Sequence, residues 1–551
     1  FFHVCTGMEY SFETEGKGLK GKVFTNTRSK YADNVVEVEL KQGAEFIIYK
    51  YGAVLSSENH EKKFLVNVCR AKLEEASKKG YRLLKEEHEK VWAHKWEECD
   101  ITIEGDIAAQ QGIRFNIFQL MQTYTGDDER LNIGPKGFTG EKYGGSTYWD
   151  TEAYCLPFYL GTSDPKVARN LLVYRYKHLP KAIENAQKLG FTGGAAFYPF
   201  VTMNGEECHN EWEITFEEVH RTSAMAYAMR DYIDWTGDQN YFTEYGLEVL
   251  IGISRFWAQR VNWSADKNKY VMLGVTGPNE YENNVNNNWY TNYLAAWTLR
   301  FTQQAIDYTK KNNAARFGEI ASKTSFKENE ETAKWKDIVD KMYYPQDAKR
   351  GVYLQQDGFL DKELIQVKDL RPEDRPLNQK WSWDRILRSC FIKQADVLQC
   401  IYLFEDDFTL DQIKRNFDFY EPMTVHESSL SPCVHVILAS KLGYEEKAYE
   451  MYLRTSRLDL DDYNNDTEDG CHITSMAGTW MSVVKGFGGM RVRDGKLHFQ
   501  PFIPKQWKSY SFRLEFRGRV IKVRVSKEKI ETILESGEPM EIVLNGKTVK
   551  I

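Results

Sequence analysis

Along the first sixty residues, apolar and polar positions alternate with a period of two. Val36, Val38 and Leu40 are separated by Glu37 and Glu39, and Phe46-Ile47-Ile48-Tyr49 is a short apolar run between Gly43 and Gly52. Side chains on a strand point alternately to its two faces, so this pattern predicts β-structure. Residues 1–60 read as the tail of a β domain whose beginning is missing. From Ala71 to Trp96 the chain turns to Lys, Glu and Ala, with Tyr81, Leu84 and Val91 at helical spacing. Residues 61–100 are therefore expected to be a charged helical linker.

The period then becomes helical. Asp106 is placed to cap a helix whose apolar positions Ile113, Ile117, Leu120, Met121 and Tyr124 fall on one stripe. Further helices are expected over 165–189, 218–235, 241–261, 287–309, 391–404, 429–442 and 444–455, with Gly443 as the stop signal of the 429–442 helix. Long loops rich in Trp, Asn, Gly and Glu separate several of them. Paired helices with long loops on one side predict an α/α toroid over residues 101–490. A solenoid is the alternative, although no strict repeat is present. After Gly489 the alternation of two returns: Phe512, Leu514 and Phe516, then Ile521, Val523 and Val525, with Asn545-Gly546 as a hairpin turn pair. Residues 491–551 are expected to form a small β domain.

Composition narrows the function classes. The 551 residues suffice for two to four domains, and 73 basic against 80 acidic side chains leave a net charge of -7. No basic face stands out, so nucleic acid is not an expected partner. The aromatic share is 14%, which suits pyranose stacking and a large core equally. Nine cysteines lie scattered without a C-x-x-C pair, which points away from a zinc ribbon and towards a reducing, cytoplasmic compartment. The sequons at Asn262 and Asn465 read as chance. No apolar run approaches the roughly 20 residues of a membrane span. The chain opens on Phe1-Phe2-His3 without an initiating Met, a signal peptide or an anchor, as a fragment or a processed chain would.

Four stretches carry candidate chemistry. In 274–290, Gly277-Pro278 forces a turn and Asn286, Asn287 and Asn288 are N-cap candidates for the next helix. Glu280 is held between them among amides and aromatics, a setting that suits a general acid; a solvated loop carboxylate is the plain alternative. Trp149-Asp150 follows a Gly-rich loop. The indole suits a sugar face and the carboxylate suits its hydroxyls, unless Asp150 simply caps a helix. No G-K-[ST] follows these glycines, so a nucleotide loop is a weak reading. Lys393-Gln394 is expected inside an apolar helix, and His426-Glu-Ser-Ser429 precedes another. A Lys and a His converging on the Ser428-Ser429 hydroxyls at a helix start would make an anion site; N-capping is the alternative for the serines. The loop from His209 through Glu211 is polar and aromatic, like a sugar acceptor wall or a solvated acidic loop. No second carboxylate stands out as the base an inverting hydrolase needs, whereas phosphate is already an anionic nucleophile.

Together these motifs resemble glycoside hydrolase family sixty-five, the α-diglucoside phosphorylases. The resemblance runs from about Asp106 to Pro504. It rests on 137–145 leading into 149–152, on Gly277-Pro-Asn-Glu280 leading into 286–291, on 392–397, on 420–431, and on Ser475-Met-Ala-Gly478 leading to 486–489. It implies an (α/α)6 barrel between an N-terminal β-sandwich, here only its closing strands, and a C-terminal β domain. It implies Glu280 as general acid; Trp149, Asp150, Lys393 and Gln394 facing the transferred glucose; and His426, Ser428 and Ser429 facing phosphate. His209, Glu211 and their neighbours up to Glu217 look like the acceptor loop of the maltose-specific members. The implied reaction is inverting phosphorolysis of maltose, with no metal or organic cofactor, in a homodimer. Another α-diglucoside, an inverting hydrolase and a non-catalytic sugar binder are the other readings.

Overall fold

The structure is a computed structural model that describes residues 2–14, 17–18, 22–209 and 212–551. The chain divides into two compact units, Phe1–Glu97 and Glu98–Ile551. In the first, strands Val4–Thr14 and Phe46–Ser56 pair antiparallel over their full length, and Lys17–Gly18 extends the sheet. A separate hairpin joins Lys22–Arg28 to Tyr31–Glu37. The strand expected through Leu40 thus ends at Glu37. Helix Leu65–Lys79 lies on the sheet and buries Leu65, Cys69 and Leu73, which share one helical face. Gly7 lets it approach, since a Cβ there would lie 2.6 Å from Cys69 Sγ.

The second unit is built on alternating outer and inner helices. Among the described residues the outer ones are Ile107–Thr123, Pro165–Lys177, Leu247–Arg260, Glu328–Lys341, Leu410–Tyr420 and Glu445–Ser456. The inner ones are 151–162, Arg221–Thr236, Trp289–Asn312, Val397–Leu403, Ser431–Leu442 and 473–487. Each inner helix packs on the next, and the sixth returns to the first, which closes an (α/α)6 barrel. The inner helices are apolar almost all round because they are covered on every side: Ser431–Leu442 is buried from Ser431 to Ala439. Outer helices such as Leu410–Tyr420 keep one buried stripe, whereas Leu247–Arg260 is buried from Leu247 to Trp257. Asp106 caps the first of them, its Oδ1 accepting from Ala109 N at 3.0 Å.

Two expected helices are corrected. The 165–189 segment breaks at His178 into Pro165–Lys177 and Leu179–Lys188, because Pro180 suits the start of a helix and not its interior. The 391–404 helix is confined to Val397–Leu403. Before it Ile392 forms an isolated bridge to Thr424, with Ile392 N donating to Met423 O at 3.1 Å and Val425 N to Ile392 O at 2.9 Å. Lys393 and Gln394 are therefore loop residues.

The C-terminal strands form two sheets. Ile530–Ser536, Val520–Ser526 and Ser509–Glu515 line up in that order, and Thr102–Glu104 adds the fourth strand. Arg491–Arg493, Lys496–Phe499, Glu541–Leu544 and Lys547–Lys550 make the other. Asn545 and Gly546, with φ of 49° and 77°, turn its last hairpin. Because helix direction alternates around the barrel, every outer-to-inner connection emerges at the same end. Those connections are 124–150, 178–220, 261–288, 342–396, 421–430 and 457–472, and they carry the candidate chemistry.

Candidate active site

All six connections meet at a cleft of about 700 Å³. The first ends on Trp149 and Asp150. Thr147 pairs with Thr202 of the second connection through both backbone bonds, 2.8 and 3.1 Å. Beneath them Arg175 holds the buried Glu152 by two bonds of 2.6 and 3.0 Å and also donates to Tyr148 O. Trp149 is buried, its ring edge-on to His220 at 5.0 Å. Asp150 makes no cap; its Oδ2 accepts from Thr474 Oγ1 at 3.1 Å. Burial pushes its carboxyl up to about 6; the Thr474 hydroxyl opposes this and the Glu280 charge adds to it.

The Glu280 loop is held by two buried carboxylates, Asp396 and Glu217. Asp396 accepts from Asn288 Nδ2 at 3.0 Å and from Asn279 N at 3.3 Å. Burial pushes Asp396 up to about 7 against these bonds. Gly277 is required here, since a Cβ would fall 2.1 Å from Asp396 Oδ2. Asn288 also caps the following helix through Thr291 N at 2.9 Å, and Glu217 takes Thr276 Oγ1 and Asn284 N at 2.8 and 2.6 Å. Glu280 is consequently half-buried and held, not a free loop carboxylate. Its Oε2 lies 2.6 Å from Lys393 Nζ. Lys393 N donates to Asn279 Oδ1 at 2.8 Å, so both partners hang on the same asparagine. Burial works against the Lys393 charge, but Glu280 and then Glu218 outweigh it and hold the ammonium above its ordinary range. Gln394 is buried beside it.

Ser428 and Ser429 line the cleft, half-buried. The inner helix starts two residues later at Ser431 with Leu430 in the cap position. Ser428 Oγ accepts from Leu430 N at 3.2 Å, and Ser429 caps nothing. His426 is not brought to the cleft wall. Its backbone takes a left-handed φ of 53°, its Nδ1 meets Ser431 Oγ at 2.9 Å, and its ring packs on His435 at 4.5 Å. Burial, with His435 adding, holds it well below the usual histidine range and therefore neutral. His472 stands on the wall instead. Its Nδ1 is 2.6 Å from Asp459 Oδ1 and its Nε2 is 3.2 Å from Lys136 Nζ. Burial opposes its charge, yet Asp459 and Asp466 raise it above the ordinary value.

The Gly-rich loop packs against the sixth connection. A Cβ on Gly140 would lie 2.2 Å from Asp469 O, Cys471 N donates to Thr139 Oγ1 at 2.8 Å, and Lys142 pairs with Asp469. At its tip Tyr143, Gly144 and Gly145 all have positive φ. Tyr143, Tyr148, Phe200 and His209 follow one another edge-on at 5.6, 5.4 and 5.2 Å along the cleft. His209 is half-buried, with Nδ1 3.3 Å from Thr215 Oγ1. Glu211 lies outside the described residues.

The structure thus gathers Trp149, Asp150, His209, Glu280, Lys393, Gln394, Ser428 and Ser429, and leaves the His426 ring aside. Lys136, Tyr143, His472 and Thr474 complete the wall and were missed. The only sequence signal for His472 and Thr474 is their place just ahead of the Ser475-Met-Ala-Gly478 motif. Among the described residues no group of three or more His, Cys, Asp or Glu is placed to hold a metal ion, and no helix is long and apolar enough to cross a membrane.

Asp150 gives a stability prediction. Its folded pKa, about 6, lies above the ordinary value of 3.8. The folded chain therefore binds more protons between those values, and stability falls as pH rises through that window. Asp150→Asn should raise the thermal midpoint by about 1–3 °C near pH 7, with a smaller gain near pH 5, while sugar binding weakens. Equal melting of variant and wild type near pH 7 would remove the argument from burial.

Comparison with known proteins agrees with this geometry. Residues 114–481 match the glycosyl hydrolase family 65 central catalytic domain, 490–551 its C-terminal domain and 2–95 its N-terminal domain. The chain is 51% identical over 544 residues to the maltose phosphorylase of Bacillus subtilis (strain 168), covering 97% of this chain and 69% of that protein. It is 39% identical over 516 residues to the α,α-trehalose phosphorylase of Thermoanaerobacter brockii, covering 94% of this chain and 66% of that one. A solved structure described as a candidate kojibiose phosphorylase from the human microbiome superposes with a TM-score of 0.87 at 33% identity, covering 99% of this chain and 73% of the other.

Proposed function

We propose that this chain, which belongs to glycosyl hydrolase family 65, catalyses the reversible phosphorolysis of maltose to β-D-glucose 1-phosphate and D-glucose. The observation that carries the reading is the convergence of Glu280, the Trp149-Asp150 pair, Lys393-Gln394 and Ser428-Ser429 on one cleft. The transferred glucose lies against Trp149, with Asp150, Lys393 and Gln394 on its hydroxyls. The acceptor glucose lies along the aromatic row from Tyr143 to His209. Phosphate binds at the Ser428 and Ser429 hydroxyls, with His472 and Lys136 on the same wall.

In the free chain Glu280 is paired with Lys393. Sugar hydroxyls take over the Lys393 donors on binding. Glu280 takes up a proton from the incoming phosphate or from solvent, and it passes that proton to the glycosidic oxygen. A phosphate oxygen attacks the anomeric carbon from the opposite face. The C–O bond to the departing glucose breaks as the C–O bond to phosphate forms, and configuration inverts. Among the described lining residues, the phosphate face offers hydroxyls, His472 and Lys136, a set that suits an anion more than a water-activating base. Phosphate is a co-substrate here, and no organic cofactor or metal enters the scheme. A homodimer and a cytoplasmic location are the finer readings that the family resemblance supports.

Incubating the protein with maltose, trehalose, nigerose or kojibiose, with and without phosphate, tests the proposal. β-Glucose 1-phosphate should form from maltose and only with phosphate. Glucose released equally fast without phosphate would make the protein a hydrolase. Preferential cleavage of another disaccharide would move the acceptor assignment.

A further inference from the structure

In the proposed reaction the acid and the phosphate must stand on opposite faces of one carbon at a fixed separation. Glu280 and Ser428 come from connections far apart in sequence, so something must set their spacing. Each has a neighbour turned away from the cleft. Next to Glu280 is Tyr281, fully buried in an apolar cluster with Leu377, Ile386, Phe391 and Val425. Next to Ser428 is Glu427. The Tyr281 hydroxyl donates to Glu427 Oε2. Glu427 Oε1 accepts from Leu377 N at 2.7 Å, and Glu427 N donates to Lys393 O at 3.2 Å. One residue therefore ties together the acid loop, the lysine loop and the serine loop. Guanidinium groups hold the far side of the serine loop, with Arg375 Nη2 on Val425 O at 2.7 Å and Arg454 Nη2 on His426 O at 2.6 Å.

We propose that Tyr281 and Glu427 form a strut that fixes the general acid relative to the phosphate site, so that both are positioning residues for the two reacting partners at once. The proposal rests on Glu280 as the acid and Ser428-Ser429 as the phosphate site. Its chemistry explains why the strut ends in a carboxylate. Both of its side-chain partners are donors, and only a carboxylate offers an acceptor to each. An amide in its place can still accept from Leu377 N, but it must turn the Tyr281 hydroxyl into an acceptor and it loses the charge-assisted bond. A hydrogen bond made by a charged group is also the shorter and stronger kind of tie.

The test is a double-mutant cycle with Tyr281→Phe and Glu427→Gln, read with two donors. Tyr281→Phe removes one oxygen and keeps the ring in its cluster. Each variant should lower kcat for maltose about 10-fold, the range that a displacement of under 1 Å can cause. Each should raise the phosphate KM several-fold, and the double variant should be no worse than the poorer single one. With α-glucosyl fluoride, which needs little protonation, the kcat loss should shrink while the phosphate KM stays raised. A strap that only stabilises the fold would lower the melting temperature and the active fraction, cut both donors alike and leave the phosphate KM unchanged; that pattern, or losses that add in the double variant, overturns the strut. Full maltose phosphorolysis by Glu280→Gln, measured alongside, would instead remove the reading on which the strut rests.

Discussion

Glu280→Gln is expected to lower kcat for maltose phosphorolysis by about 10²-fold or more, with little change in fold. The departing sugar oxygen needs a proton because an alkoxide is a poor leaving group, and an amide has none to give. The substitution also removes the ion pair with Lys393, which lies 2.6 Å away in the free chain. The amide oxygen of the substituted side chain can still accept from the ammonium, and the loop keeps its anchors on Asn279 and Asp396. Sugar binding should therefore persist, and α-glucosyl fluoride should be far less affected than maltose. The measurement is steady-state phosphorolysis with both donors on protein shown to be folded. Near-normal turnover of maltose would sink the assignment, and an equal loss with both donors would point to collapse of the cleft.

Replacing Ser428 and Ser429 together with Ala is the second large effect. Hydrogen bonds to a charged group contribute about 1.5–3 kcal/mol each. Loss of two hydroxyls should then raise the phosphate KM by at least about 10-fold, since about 1.4 kcal/mol is a factor of ten. The maltose KM should change little, because Trp149, Asp150, Lys393 and Gln394 stand on other connections. The serines do not start the helix, whose cap position is Leu430, so the melting temperature should hold. Equal losses for phosphate and maltose would return Ser428 and Ser429 to a purely structural role.

Much of this arrangement was legible in the residues. Periods of two and 3.6 marked the β ends and the helical middle because burial on one face imposes them locally. Asp106, Gly443 and Asn545-Gly546 act where they were expected, since capping and left-handed turns are settled by the residue and its nearest neighbours. Glu280 stood out because Gly277-Pro278 and the asparagines that follow constrain its loop whatever lies around it. Motif order alone placed Trp149, Lys393 and Ser428 in the same family pattern.

Other features depend on partners far along the chain. Apolar spacing predicts a helix through Lys393, but two backbone bonds from Ile392 to 423–425 hold 391–396 as a loop. Local propensity cannot weigh hydrogen bonds offered from thirty positions away. Thr102–Glu104 likewise becomes a strand only because Ser509–Ser511 lies beside it. The clearest case is the pair of histidines. The place of His426 just before the serines predicts a phosphate ligand, yet a left-handed backbone turns its ring under the helix onto His435. His472 arrives at the wall from another connection, where burial opposes its charge but Asp459 and Asp466 raise its pKa above the ordinary value. By itself the sequence determined most of the elements and singled out Glu280 as the candidate acid, because these follow from short-range periodicity and turn chemistry. Only the tertiary structure decided which side chains face the cleft, because closing the barrel sets the direction of each connection and the charges that surround it.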